Sequence, residues 1–145
     1  MNRHAAHRLA WVVPVLSLSL SAPLRAQDPP SPLPYLTVLP NYQDFSQDDR
    51  EFDASEFWNG KAMVRVEGKC WNRHYTQKEG TPKASPLQTH RNYINAVKAM
   101  GGSVVFEGDD PGGVRILVLK AAKAGKEIWI EIKSESEGFE YHIRM

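Results

Sequence analysis

Residues 85–102 read Ser-Pro-Leu-Gln-Thr-His-Arg-Asn-Tyr-Ile-Asn-Ala-Val-Lys-Ala-Met-Gly-Gly, a helix with its start and its stop both written into it. The Ser85 hydroxyl can accept a hydrogen bond from an unpaired first-turn amide, and Pro86 loses nothing there by lacking an N–H. Leu87, Ile94, Val97 and Met100, with Tyr93 and Ala96 beside them, recur at helical spacing and give one apolar stripe. Gly101-Gly102 takes the left-handed conformation cheaply and ends the element. The spacing predicts a helix over residues 86–100 that must bury one face against something else.

Working outward, the C-terminal side supplies that something. Ser103 to Glu107 reads as a strand, and Gly108-Asp109-Asp110-Pro111-Gly112-Gly113 as a turn. Val114 to Lys120 follows, then Ala124-Gly125. Ile128, Ile130 and Ile132 alternate with Trp129, Glu131 and Lys133, and after Glu137-Gly138 Phe139, Tyr141 and Ile143 alternate with Glu140, His142 and Arg144. His142 is thereby expected on the outer face of the last strand. On the N-terminal side, Ala62 to Tyr75 predicts one long strand. Its apolar side passes from Val64 and Val66 to Trp71 and Tyr75 across Gly68, as a bulge or strong twist there would allow. The fold class is α+β: a long strand, a helix, then a four-strand antiparallel meander, with the helix packed on one sheet face.

Further upstream, Asn41 to Gly60 is acidic with Phe45, Phe52, Phe57 and Trp58 interspersed, and reads as an irregular segment docking its aromatics on the core. Residues 27–40 carry prolines at 29, 30, 32, 34 and 40 and read as a linker or arm. Its apolar tip, Tyr35, Leu36, Val38 and Leu39, suits a short edge strand or a lie against the domain. Residues 1–26 read as a cleavable signal peptide: Arg3, His4, His7 and Arg8, an apolar run from Leu9 to Leu20, and Leu24-Arg25-Ala26 before Gln27. The run is shorter than the roughly 20 apolar residues that span a bilayer, and Pro14 breaks it. Residues 41–145 form the single domain, expected to be exported from the cytoplasm, with no transmembrane segment after cleavage.

Cleavage removes Arg3, Arg8 and Arg25 and no acidic residue, leaving 15 of 18 basic against 17 acidic residues, a net charge of −2. That balance argues against a nucleic-acid partner, which calls for a basic face. Cys70 is the only cysteine, so no intramolecular disulfide exists and the core holds by packing.

Several short blocks resemble a known context. Val66-Glu67-Gly68-Lys69, Arg73-His74-Tyr75, Ser85-Pro86-Leu87-Gln88 with Arg91-Asn92-Tyr93, and Lys126 to Ile132 resemble the segment that precedes the peptidoglycan-binding module in some OmpA-like bacterial outer-membrane proteins. The resemblance covers Pro40 to the end and implies an exported, envelope-associated domain. It transfers no functional residue, and the peptidoglycan-binding module itself has no counterpart in the sequence.

Cys70, His74 and His90 lack the glycine-flanked turn of a nucleophile, and Cys70 reads as a buried strand residue. Asp48, Asp49, Glu51, Asp53 and Glu56, and separately Asp109-Asp110, lack the alternating ligand pattern of a calcium loop. His74, His90 and His142 lack zinc-ligand spacing. No metal or cofactor is therefore expected, and no catalytic residue is assigned. If Ile128, Ile130 and Ile132 face the helix together with Val114, Ile116 and Val118, then Trp129, Leu117 and Leu119 share the second sheet face. That makes them candidate anchors for an envelope protein or cell-surface partner. The competing and preferred use of that patch is internal, with Phe45 to Trp58 folding across it. An alternative function, a periplasmic ligand-binding protein or enzyme, would bring Arg73, His74 and His90 to an anion-accepting cleft at the helix N-terminus.

Overall fold

The computed structural model describes residues 33–145; the expected leader, 1–26, and the start of the arm, 27–32, lie outside them. Strands β1 (Tyr42–Trp58) and β2 (Met63–Gln77) precede helix α1 (Pro86–Ala99), and β3 (Ser103–Asp109), β4 (Arg115–Lys123), β5 (Lys126–Glu135) and β6 (Glu140–Arg144) follow it. They make one six-stranded sheet in the order β1-β2-β6-β5-β4-β3, antiparallel throughout. The class is α+β. No helix among the described residues is long and apolar enough to cross a membrane.

The helix forms by the expected local chemistry. Ser85 Oγ accepts from the Gln88 amide at 3.2 Å. At the other end, Gly102 N–H bonds to Val97 O and Gly101 N–H to Lys98 O, the paired closure that a left-handed glycine permits. Its buried line runs through Thr89, His90, Tyr93, Ile94 and Val97. Leu87 lies off that line and is exposed, contrary to the expected stripe.

Segment 42–58 is not irregular. It pairs with β2 from Tyr42↔Gln77 to Trp58↔Met63, and Asn59-Gly60 makes the hairpin turn, Asn59 Oδ1 accepting the Lys61 and Ala62 amides at 2.9 Å. Its acidic residues are tolerated because β1 is an edge strand and β2 carries partners: Lys69 meets Glu51 at 2.6 Å, and the buried Arg73 guanidinium pairs with both Asp49 oxygens. The two register shifts of this pair both lie in β1, at Phe45 and at Glu51-Phe52, the latter opposite Lys69 beside Gly68.

β2 changes its buried side for a different reason. Its second half pairs with β6 and buries Tyr75 under the helix, while its first half buries Val64 and Val66 in a second cluster with Phe57, Ile116, Val118 and Trp129. The β1–β2 hairpin therefore curls over the outer sheet face. Although β1 and β3 are opposite edges, Trp58 stacks edge-on to Phe106 of β3 at 6.4 Å, and Gly60 abuts the same ring. Arg144 bridges the layers, donating to Glu56 O at 2.8 Å and Glu131 Oε1 at 2.7 Å above the Phe57 ring.

The helix-side core centres on four tyrosines. Tyr93 and Tyr141 hydroxyls lie 2.9 Å apart, with Tyr42 and Tyr75 rings against Tyr141. Burial raises the Tyr141 phenol to about 12 and shifts Tyr75 and Tyr93 in the same direction. Leu33 and Leu36 of the proline-rich arm are buried in this core, so the arm's tip lies against the domain.

Candidate binding cleft

Register settles the faces of β4. Leu117 pairs with Ile132 and Leu119 with Ile130, and directly opposed residues share a face, so both leucines lie on the helix side, fully buried. Ile116 and Val118 instead share the outer face with Trp129. This corrects the expected grouping and removes Leu117 and Leu119 from any surface. Trp129 is on the second face as expected, but Phe57 covers it, ring centroids 5.6 Å apart, and leaves it 9% exposed.

The hairpin does not close that face completely. A cleft of about 520 Å³ remains between β2 and β5, walled mainly by Phe57, Val66, Trp71, Ile128 and Trp129, with Tyr35 of the arm and Met145 at its margins. Its size is that of a ligand or peptide site. Cys70 lines it: Sγ lies 3.6 Å from Ser55 Oγ and 3.6 Å from Gly68 O. Charged residues ring the mouth. Lys69 is held by Glu51, Glu67 by Arg65, and Glu127 by Lys120 and the Trp129 indole N–H.

A second, polar opening lies between the hairpin and the outer faces of β2, β5 and β6, lined by Asn72, His74, Glu131, Lys133, His142 and Arg144. His74 and His142 are cross-strand partners whose rings stack at 3.9 Å. His74 Nε2 is 3.3 Å from Glu140 and His142 Nε2 is 3.7 Å from Glu135, so each imidazole has a carboxylate beside it. His142 sits on the outer face as expected. Its pairing with His74 was not visible in the sequence, because cross-strand neighbours follow only from register.

The three residues of the supposed anion cleft do not meet. Arg73 and His74 are adjacent in β2 and point to opposite faces, and Arg73 is committed to Asp49. His90 lies against Glu107 of β3, at the far edge of the sheet from β1. Three strands separate β2 from β3 in the sheet order, and His74 faces away from the helix, stacked on His142. His74 lies four residues along β2 from Cys70, about 13 Å at the usual rise, too far to act as a base on the thiol.

Two expected outcomes follow from these charged groups. Asp49→Asn, which keeps the shape but removes the carboxylate from Arg73, should lower stability by about 1–3 kcal/mol in urea unfolding; no loss would mean the pair contributes nothing net. His90 is buried, and burial lowers its pKa below 6.5 against the raising effect of Glu107, with Arg115 and Arg91 lowering it further. His142 is lowered by burial and by His74. Because both folded values lie below the unfolded one, their stabilising contribution is complete above pH 6.5 and is lost as pH falls below it. Urea midpoints should be level from about pH 8 to 7 and decline toward pH 5. His90→Gln should flatten part of that decline, and an unchanged slope would assign it elsewhere.

Comparison with known proteins brings no relative: no protein-family model, no curated protein and no solved structure matches the chain. The resemblance to the OmpA-associated segment rests on its short sequence blocks alone.

Proposed function

We propose that this chain is an exported module of the bacterial envelope, a non-catalytic binding domain that works through contacts with another envelope protein or a surface component. The observation that carries the reading is the apolar cleft beside Trp129. The chain's own hairpin covers much of the outer face, yet Trp129, Phe57, Trp71 and Ile128 still bound an apolar opening large enough for a partner's side chains. The chemistry around it suits binding: the Cys70 thiol faces a hydroxyl and a carbonyl, and each nearby carboxylate is held by a cation. The leader supports export, and the mature chain is expected to start at Gln27.

Trp129 is a wall of the cleft and part of the second core, so charging it would damage the fold. Tyr35, 47% exposed at the margin, is the better reporter. A photo-crosslinking residue placed there should yield a specific envelope adduct, with the mature chain recovered from the periplasmic or outer-membrane fraction beginning at Gln27. An uncleaved chain confined to the cytoplasm would overturn the reading.

A further inference from the structure

We infer that the polar opening beneath the β1–β2 hairpin is a second binding site, and that its ligand is a neutral saccharide. It goes beyond the envelope-module reading, since the polar opening and the apolar cleft share no lining residue.

The opening measures about 640 Å³, inside the range of about 300–1,000 Å³ usual for small-molecule sites. Its floor is a sheet face. Asn72 and His74 of β2, His142 and Arg144 of β6, and Glu131 and Lys133 of β5 stand at alternate positions along their strands. Their register, Asn72↔Arg144 with His74↔His142 and Glu131↔Arg144 with Lys133↔His142, puts all six side chains on the outer side. Ser46 and Asp48 of β1 join them through Ser46↔His74 and Asp48↔Asn72. Trp58 and Met63 of the hairpin and Asp110 of the β3–β4 turn complete the walls. The backbone groups of the floor are spent in the ladders on either side of β6, so a ligand lying there meets side chains.

The charged groups around the opening are already engaged with one another. Arg144 is held by Glu131 at 2.7 Å, Lys133 by Glu135 at 2.5 Å and Asp48 by Arg50 at 3.0 Å. Arg73, whose side chain points to the other face, is committed to Asp49. Asp110 spends one oxygen on the Gly112 and Val114 amides, both at 2.9 Å. The lining therefore offers no spare arginine or lysine to a phosphate or carboxylate.

The groups left over are neutral. Ser46 Oγ, Asn72 Oδ1, His74 Nδ1, the His142 ring and the Trp58 indole N–H have no hydrogen-bond partner among the described residues. The last four remain open to solvent. They form a mixed set of donors and acceptors without charge, which suits a ligand whose own groups can do either. A sugar hydroxyl donates one hydrogen bond and accepts others. Flat apolar surface lies beside them: the His74 and His142 rings stack at 3.9 Å, Phe45 packs edge-on to His74 at 4.7 Å, and Trp58 and Met63 add the hairpin side. A sugar ring, with C–H faces and a hydroxyl rim, matches both kinds of wall. A nucleotide would bring a phosphate with no free cation to meet it. An extended peptide binds through a strand edge, and this floor presents none.

The probes are maltose, cellobiose and trehalose, each titrated to tens of millimolar into the ¹⁵N-labelled mature chain. The expected result, with at least one of them, is saturable shifts at the Trp58 indole N–H and the Asn72 side-chain amide. His142→Phe keeps a ring in the stack and removes its nitrogens, and should weaken that binding about three- to ten-fold; Trp58→Phe, which removes the indole N–H, should act by a similar factor. The two substitutions lie on different elements, so a folding defect in one leaves the other to report. Leu87→Gln, at an exposed position on helix α1, should leave binding unchanged. No saturable shift with any of the three sugars overturns the inference, and so does unaltered affinity in the folded variants. Tighter binding of trehalose 6-phosphate than of trehalose, or of spermidine than of any sugar, would reveal a charge-selective site and overturn the neutral reading. The same shifts from glycerol at matched hydroxyl concentration would mark ordinary solvation and overturn it too. Each of these negative results leaves export and crosslinking at Tyr35 untouched, so failure here is separable from failure of the module reading.

Discussion

Phe57→Ala is expected to lower the unfolding free energy by about 3–5 kcal/mol, the usual cost of truncating a fully buried aromatic. Phe57 is 1% exposed, rests on Trp129 and lies under the Arg144 guanidinium. It belongs to the smaller of two cores, so truncation should do more than lower a midpoint. The hairpin is held over the outer face by few large contacts, chiefly Phe57, Trp58, Val64 and Val66. Losing one should expose the Trp129 indole, red-shift its emission and accelerate amide exchange along 57–66 before the helix-side core opens. Phe52→Ala on the same strand is the control. Its ring is 74% exposed, and the change should cost no more than about 0.5 kcal/mol. Equal effects from the two substitutions would mean that the hairpin does not cover this face.

Gly138→Ala is the second large effect, also about 3–5 kcal/mol. Two costs combine: φ is +96°, a conformation unfavourable for a side-chain-bearing residue, and the new Cβ would fall 2.0 Å from the Ala84 carbonyl oxygen. That obstacle is backbone, and the surroundings hold it in place. The Tyr42 hydroxyl accepts the Ala84 amide at 3.0 Å and donates to the Gly138 carbonyl, joining the start of β1, the entrance to α1 and the turn before β6. Gly125→Ala separates the two costs. Its φ is +75° with nothing within 4 Å of the added Cβ, so only the conformational part, about 1–2 kcal/mol, is expected. Urea unfolding of both variants checks the difference, and matching losses would show that the close approach to Ala84 does not exist.

The helix and the strands after it were legible because their signals are local. Ser85-Pro86 and Gly101-Gly102 act within a few residues, and the alternation of Ile128, Trp129, Ile130 and Glu131 declares its own faces. Ile116 to Leu119 does not. Four apolar residues in succession are buried on both sides of the sheet, so parity was open until pairing with β5 put Leu117 opposite Ile132. Strand β1 was hidden by composition, since its acidic residues read as loop while their countercharges stand on β2. One signal could have found it, because Asn59-Gly60 between apolar runs is a strong hairpin signature. The candidate site was legible only in part. Trp129 was placed on the right face and its internal cover was foreseen, but the cleft follows from how the β1–β2 hairpin packs against β5, a long-range contact that no short window contains.

The curl of the β1–β2 hairpin across the outer face underlies both the second core and the cleft, and it can be observed directly. In a nuclear Overhauser spectrum of the mature chain, the Phe57 ring should show cross-peaks to the Trp129 indole and Gly60 should show them to the Phe106 ring, as their contacts require. Absence of both sets, with the β1–β2 ladder intact, would mean that the hairpin extends away from the sheet and would contradict the account.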